Sequence, residues 1–346
     1  MNTKVVVKFD SIIFQSSYCI FRMDSAMKFL LKLFVSFLMI GISNSVMAQN
    51  YPNKPIKLLV PFGAGGITDV VARAFAEPFA AELGQQVIIE NKPGAGGNIS
   101  AELLKNSPPD GYTLMLTTIG VVAVNPHTYA TIKFDSLKDF TYISTVAETP
   151  HVIAINTSVP AKNLSELIKL AKDKPESISF GTAGYGSSPY QGMEILQTAT
   201  GVKFLHVPFK SGAESVTNVI GGQVSMTFEA IPVVMPQSQA GKVRVLGITS
   251  VKRNPAASDL ATTAELGFSG VISGSISGLI GPAGLSPDIV AKLNKAAKVA
   301  LSDLKLRANL QAQGTSPEGS TPTQFFDLVK LEHSKWGKLM SNVPKQ

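Results

Sequence analysis

Cysteine is almost missing from this 346-residue chain. The single Cys19 lies near the N-terminus, so everything beyond it has no disulfide, no thiol nucleophile and no cysteine metal site. Charge is sparse as well: Asp, Glu, Lys and Arg make up 16% of the residues, with no basic run and no basic stripe interleaved with aromatics. Nucleic acid is therefore not an expected partner. The histidines are four, His127, His151, His206 and His333, and none has the spacing of a zinc site. There is no G-x-S-x-G nucleophile elbow and no Gly-Lys-Ser/Thr ending of a P-loop. Beyond residue 48 the arginines are Arg73, Arg244, Arg253 and Arg307, none of them in a glycine-rich loop. A bidentate guanidinium grip on an anion is thus not the expected mode of recognition. Together these absences point away from enzyme, metal and cofactor chemistry. A Ser–His–acid triad assembled only in space is the catalytic device they leave open.

What is present begins with an export signal. Lys28 flanks and Lys32 enters the apolar run Phe29–Ile42, which is short for a membrane span. Small residues at Val46 and Ala48 then suit cleavage before Gln49, an uncleaved anchor being the alternative. The stretch before Met27 adds nothing to such a leader, so Met23 and Met27 compete with Met1 as the start. Residues 1–48 hold five of the Lys and Arg and two of the Asp and Glu, which leaves about +4 of the formal +7 on the remainder. The expectation is a monomeric periplasmic protein, in a compartment with little ATP or NAD.

The 298 residues from Gln49 suffice for two lobes. Apolar strand-like runs at 56–60, 87–90, 112–116, 152–155, 178–180, 224–228 and 243–249 alternate with helical periods near 68–83, 98–106, 163–174, 189–200 and 212–221. Such alternation predicts an α/β fold with mostly parallel sheets. Ser286-Pro287 and the capping-box pattern Thr321-Pro322-Thr323-Gln324 open later helices, expected to pack on the first lobe. The lone Trp336 is read as packing. Lobe crossings are expected near 146–152 and 271–281, which gives one lobe from 49–149 plus 271–346 and another from 150–270.

The most informative segment is Ile56 to Asp69, a buried strand emptying through Gly63-Ala64-Gly65-Gly66 into a helix. Bare N–H groups at a helix N-terminus receive anions. The expected donors are the N–H groups of Gly65 to Thr68 with the Thr68 hydroxyl; Asp69 either caps the helix or touches ligand. The bland alternative for the loop is a tight turn. Gly94-Ala95-Gly96-Gly97 echoes the first turn and is read as structural. A third loop, Gly181 to Ser188, repeats the strand–loop–helix logic in the other lobe.

In order along the chain, Tyr51-Pro-x-Lys54-Pro55-Ile56, Val60-Pro61-Phe62-x-x-Gly65-Gly66-x-x-Asp69, Glu90-Asn91-Lys92-Pro93-Gly94-Ala95-Gly96-Gly97, Pro109-Asp110-Gly111-Tyr112, His206-Val207-Pro208-Phe209-Lys210 and Gly281-Pro282-Ala283-Gly284 resemble the substrate-binding proteins of tripartite tricarboxylate transporters, the Bug-type receptors. The resemblance implies a type II periplasmic-binding-protein fold, two α/β lobes joined by two crossing strands. They would close on a small organic acid that is passed to membrane permease subunits. It also implies that backbone amides and ordered waters of the loops at Gly65–Asp69 and Gly184–Ser188 hold the ligand carboxylate. The candidate binding set is Phe62, Gly65, Gly66, Ile67, Thr68 and Asp69; Thr117 and Thr118; Thr182, Gly184, Tyr185, Gly186, Ser187 and Tyr190; and Phe228 and Glu229. No cofactor is implied. Three positions depart from the family pattern: Gly63 and Ala64 stand where two prolines are common, Tyr190 where histidine is usual, and Ile276 where tryptophan is frequent. A receptor for two-component sensing and, less well supported, a periplasmic hydrolase are the competing readings.

Overall fold

The strand β1 (Ile56–Val60) buries four of its five residues and exposes only Lys57. That pattern belongs to a strand covered on both faces, and β1 lies between two parallel neighbours, β2 (Val87–Asn91) and β3 (Thr113–Thr118). The computed structural model describes residues 51–341 and 345. The leader and cleavage site read from residues 1–48 fall outside them. Among the described residues, no helix is long and apolar enough to cross a membrane. From Pro52 onward the described residues pack as one unit.

Between the first strands run α1 (Ile67–Leu83) and α2 (Asn98–Lys105), and a π-helical turn at Gly120–Val124 leads from β3 into the short α3 (Asn125–Thr128). Then comes β4 (Phe140–Asn156), 17 residues long. Its first part pairs antiparallel with β9 (Gly274–Pro282), itself antiparallel to β3, and so completes the first sheet. From His151 onward β4 pairs instead with β7 (Met226–Ala230) and β8 (Val243–Ile248). Register shifts at Tyr142/Ser144, Thr145/Ala147 and Ile153/Ala154 punctuate it. Bulges sharpen local twist, which lets one strand leave one sheet and enter another. The second sheet continues with β5 (Ser179–Thr182) and β6 (Leu205–Pro208), both in the parallel sense β7-β5-β6. The chain returns through Ser273, whose N–H donates to Thr249 O (3.0 Å) beside the Thr249–His151 bond. Pairing is thus parallel within β2-β1-β3 and β7-β5-β6, whereas the pairings of the crossing strands β4 and β9, that with the edge strand β8 included, are antiparallel.

Helices α4 (Leu164–Asp173), α5 (Ser188–Thr200), α6 (Gly212–Ile220) and α7 (Ile231–Gln239) flank the second sheet. The C-terminal part holds α8 (Pro287–Ser302), α9 (Leu304–Ala312), the two-residue β10 (Ser316–Pro317) and α10 (Pro322–Leu339). The capping box expected at Thr321 forms in both directions with Gln324. Ser286 likewise caps α8 at Ile289.

The end of α10 differs from expectation. Phe325 and Val329 join the core of the first sheet, whereas Trp336 and Met340 join that of the second, with Phe180, Tyr190 and Phe228. An 18-residue helix is about 27 Å long, enough to reach both cores. Trp336 is 2% exposed and its Nε1 donates to Glu332 (3.1 Å). Trp336→Ala should cost about 3–5 kcal/mol, read as a lower urea midpoint. A loss below about 1 kcal/mol would mean that this end of the helix does not brace the second core.

Candidate functional site

Three strand–loop–helix turns meet at one small cavity. The first runs from β1 to α1. Gly65 takes φ +79°, a left-handed conformation that glycine adopts without strain. Its N–H donates to Asp69 Oδ2 (3.0 Å), so it is not offered to a ligand. The same oxygen accepts from Arg73 Nε (2.9 Å), and Oδ1 accepts from Asn91 Nδ2 (3.0 Å). Asn91 also holds Phe62 O (3.0 Å). Burial pushes the Asp69 carboxyl up, yet the bonds from Arg73, Gly65 and Asn91 outweigh it and hold the pKa below the ordinary value. Asp69 is therefore a staple behind the loop. Of the two readings of Asp69, the geometry favours the capping one, with the reach directed back to the residue before the N-cap.

The second turn runs from β5 to α5. Gly184 N–H donates to Thr182 Oγ1 (3.0 Å), which also pairs with His206 Nε2 (2.7 Å). Ser187 turns both its N–H and its hydroxyl onto Gly184 O (3.0 and 2.7 Å). The third turn, from β6 through Phe209-Lys210-Ser211 to α6, was not among the sequence candidates. Its Lys210 O accepts from Gly63 N–H (2.9 Å). A proline at position 63, as in the family pattern, has no N–H to make this bond.

The helix starts differ in one respect. On the outer surface Asn163, Ser286, Asp303 and Thr321 cap their helices with side chains. At the cavity, the N-caps of α1 and α5, Gly66 and Ser187, make no side-chain capping bond to the first turn. The leading N–H groups of a helix have no partner within it, so these two starts present amides and partial positive charge to the cavity. The start of α6 adds Gly212, although Ser211 caps Glu214 there.

The cavity has a volume of about 20 Å³ and is lined by Phe62, Gly66, Ile67, Thr68, Thr118, Ala183, Ser187, Ser188, Pro189, Gly212, Glu229 and Ser275. That is room for one or two waters. The hydroxyl of Thr118 is buried and has no hydrogen-bond partner among the described residues. Ser188, whose hydroxyl donates to Ser275 (3.3 Å), lines both this cavity and a wider cleft of about 460 Å³ that Gln191, Ser273, Lys335 and Trp336 help to line. An open groove of about 740 Å³ between α1, α8 and α9 is larger still. It lies away from the three converging turns, so the small cavity is the better candidate for anion recognition.

Phe62, Gly66, Ile67, Thr68, Thr118, Ser187 and Glu229 of the sequence-derived set line the cavity together. The other nine stand behind it. Gly65 and Asp69 bond each other. Side chains alternate across a strand, which places Thr117 and Phe228 opposite their cavity-lining neighbours Thr118 and Glu229; Phe228 is fully buried in the second core. Thr182 and Gly184 are tied to each other. Tyr185 and Tyr190 meet edge to face (centroids 5.0 Å apart) beside His206, and burial raises the Tyr190 hydroxyl above its ordinary pKa. Gly186 abuts Asn125 and Gly96. The second glycine turn is structural here, with Asn125 Nδ2 donating to Gly96 O (3.1 Å).

The candidate set lacked five lining residues, Ala183, Ser188, Pro189, Gly212 and Ser275, although Ala183 and Ser188 lie in the third loop it drew on. Ser211-Gly212 carried a usable signal, a cap residue after a strand. Ser275 sits in a crossing strand that the alternation does not mark. Two histidines that look scattered in sequence, His127 and His333, meet with ring centroids 4.3 Å apart. Among the described residues, no group of three His, Cys, Asp or Glu is placed to hold a metal.

Residues 71–344 match the family model of the tripartite tricarboxylate transporter family receptor. The chain is 32% identical over 297 residues to protein BugT of Bordetella pertussis, covering 86% of this chain and 91% of that one. MatC from Rhodopseudomonas palustris, solved with bound malate, has a TM-score of 0.80 at 30% identity, over 84% of this chain and 100% of the other. A second R. palustris protein, solved with adipate, has a TM-score of 0.80 at 32% identity, over 84% and 97%. The chain belongs to the tripartite tricarboxylate transporter receptor family and has the two-lobed α/β fold of periplasmic binding proteins.

Proposed function

We propose that this chain is an exported periplasmic receptor that encloses a small mono- or dicarboxylate between two lobes and hands it to the permease subunits of a tripartite transporter. The lobes are residues 49–149 with 271–346, and residues 150–270. One observation carries the reading: helix starts from both lobes and the unpartnered hydroxyl of Thr118 converge on one cavity that no lysine or arginine lines. Main-chain amides, hydroxyls and bridging water are then the groups left to hold a carboxylate. The malate and adipate in the two similar structures support the ligand class.

A space of about 20 Å³ is smaller than any dicarboxylate, so capture requires the lobes to part and close again. A thermal-shift series over aliphatic acids, malate and adipate included, tests the function. A ligand at a hundred times its Kd stabilises by about 2.7 kcal/mol and should raise the melting temperature by several degrees. If no carboxylate raised it, the proposal would fail. Scattering with the stabilising acid should show a smaller radius of gyration than without it.

A further inference from the structure

Glu229 is an acid placed in a site that otherwise favours anions. It is 1% exposed and lines the cavity. Its Oε1 accepts from Ala230 N–H (2.9 Å), and its other oxygen abuts Gly212 so closely that a Cβ there would collide with it. Among the described residues it has no ion pair with a lysine or arginine. On β4 the residue opposite is Val152, and the neighbouring His151, bonded to Ser273 Oγ, is kept neutral by burial, its pKa pushed down to about 3. β5 (Ser179–Thr182) carries no titratable group and neither does α7. On α5 stand Tyr190 and Glu194, bonded to each other; on α6 stands Glu214, which accepts from Lys210 N–H. On α1 Asp69 is engaged by Arg73. Burial alone pushes the Glu229 carboxyl up, to about 7, against the lowering effect of the Ala230 N–H.

A ligand carboxylate drawn to these helix starts arrives beside Glu229. Two carboxylates sharing so small a space cannot both stay ionised. We propose that Glu229 is a specificity-determining residue that faces the ligand as a neutral acid, so that carboxylate capture takes up one proton from solvent and the Glu229 hydroxyl donates to the ligand. This rests on the carboxylate-receptor reading above and adds a proton to it. The proton moves from water to a Glu229 oxygen, and no other bond changes. Affinity should then fall about tenfold per pH unit once the pH exceeds the Glu229 midpoint in the free protein. A ligand that instead presented an ammonium to ionised Glu229 would bind more tightly as pH rises.

The test uses the whole protein labelled with carboxyl-13C glutamate, with the Glu229 resonance identified by its loss in Glu229→Gln. Acetate is the first probe, followed by malate and adipate. In the free protein Glu229 should titrate above every exposed glutamate, and a saturating acid should move its midpoint upward by at least about one pH unit. Glu229→Gln, which keeps a donor at the position, should bind the same acid with no pH dependence between 7 and 9. The proposal is overturned by a Glu229 resonance that stays ionised in the complex, or by wild-type affinity that is flat or rising with pH. Backbone amide shifts at Gly66 and Ser188 separate the two readings. If they respond to an acid while Glu229 does not, the receptor stands and the proton coupling falls. If none of the three acids moves them, both fall.

Discussion

Replacing Gly66 with leucine should weaken carboxylate binding by at least about 100-fold, or about 2.8 kcal/mol, while the melting temperature moves by only a few degrees. Gly66 has φ −74°, which any residue adopts without strain. A Cβ there would lie 3.5 Å from Gly212 N and 3.6 Å from Gly63 O, ordinary contacts. Alanine should thus be accepted with affinity within about tenfold of the parent, a control for backbone effects. Leucine is different because its remaining atoms must enter the gap between the starts of α1 and α6. They would cover the amides of the first turn and keep the lobes from closing. Calorimetry with the acid that stabilises the parent decides the matter. Leucine variants that bind as the parent does would take the α1 start out of the site.

Much of this arrangement was legible because it is local. A strand such as β1 shows itself by apolar residues in a row, and a glycine-rich turn before a helical period marks where amides emerge. The lengths of the elements followed the alternation within a residue or two for β1, β2, α1, α4 and α6. What the residues did not disclose depends on pairing across long separations. β4 reads as strand only over its second part, because Phe140–Pro150 is held by β9, more than a hundred residues later. Trp336 gave no sign of which core it would enter, since a helical apolar position names a face and not a partner.

The candidate site divides in the same way. Glycine turns could be placed at a sheet edge, but only the fold decides which of two alternating neighbours, Thr117 or Thr118, Phe228 or Glu229, faces the cavity. Hydrogen-bond competition was equally invisible. Gly65 has the composition of an amide donor, yet its N–H is already held within the loop. The departure at Gly63 from the family prolines acquires a physical content here, because its N–H joins the first turn to Lys210 of the third. Two loops that bond each other directly need not be bridged by a ligand alone.

Asp69→Ala should lower stability by about 2 kcal/mol and weaken ligand binding about tenfold, although Asp69 does not line the cavity. The change strands Gly65 N–H and leaves the Asn91 amide with Phe62 O alone, and it releases a loop whose left-handed Gly65 is held by that bond. The Arg73 ion pair adds little, because Arg73 is more than half exposed and solvent screens it. The pH dependence gives the distinguishing signature. Because the folded pKa of Asp69 lies below its ordinary value, the ionised carboxylate stabilises the fold above the unfolded pKa near 4. That contribution is lost as the pH falls through the lower folded value. Urea midpoints of parent and Asp69→Ala should therefore differ at pH 7 and draw together as the pH falls below about 4. A gap that stayed constant across this range would show that packing, and not the carboxylate's bonds to Gly65, Arg73 and Asn91, makes Asp69 matter.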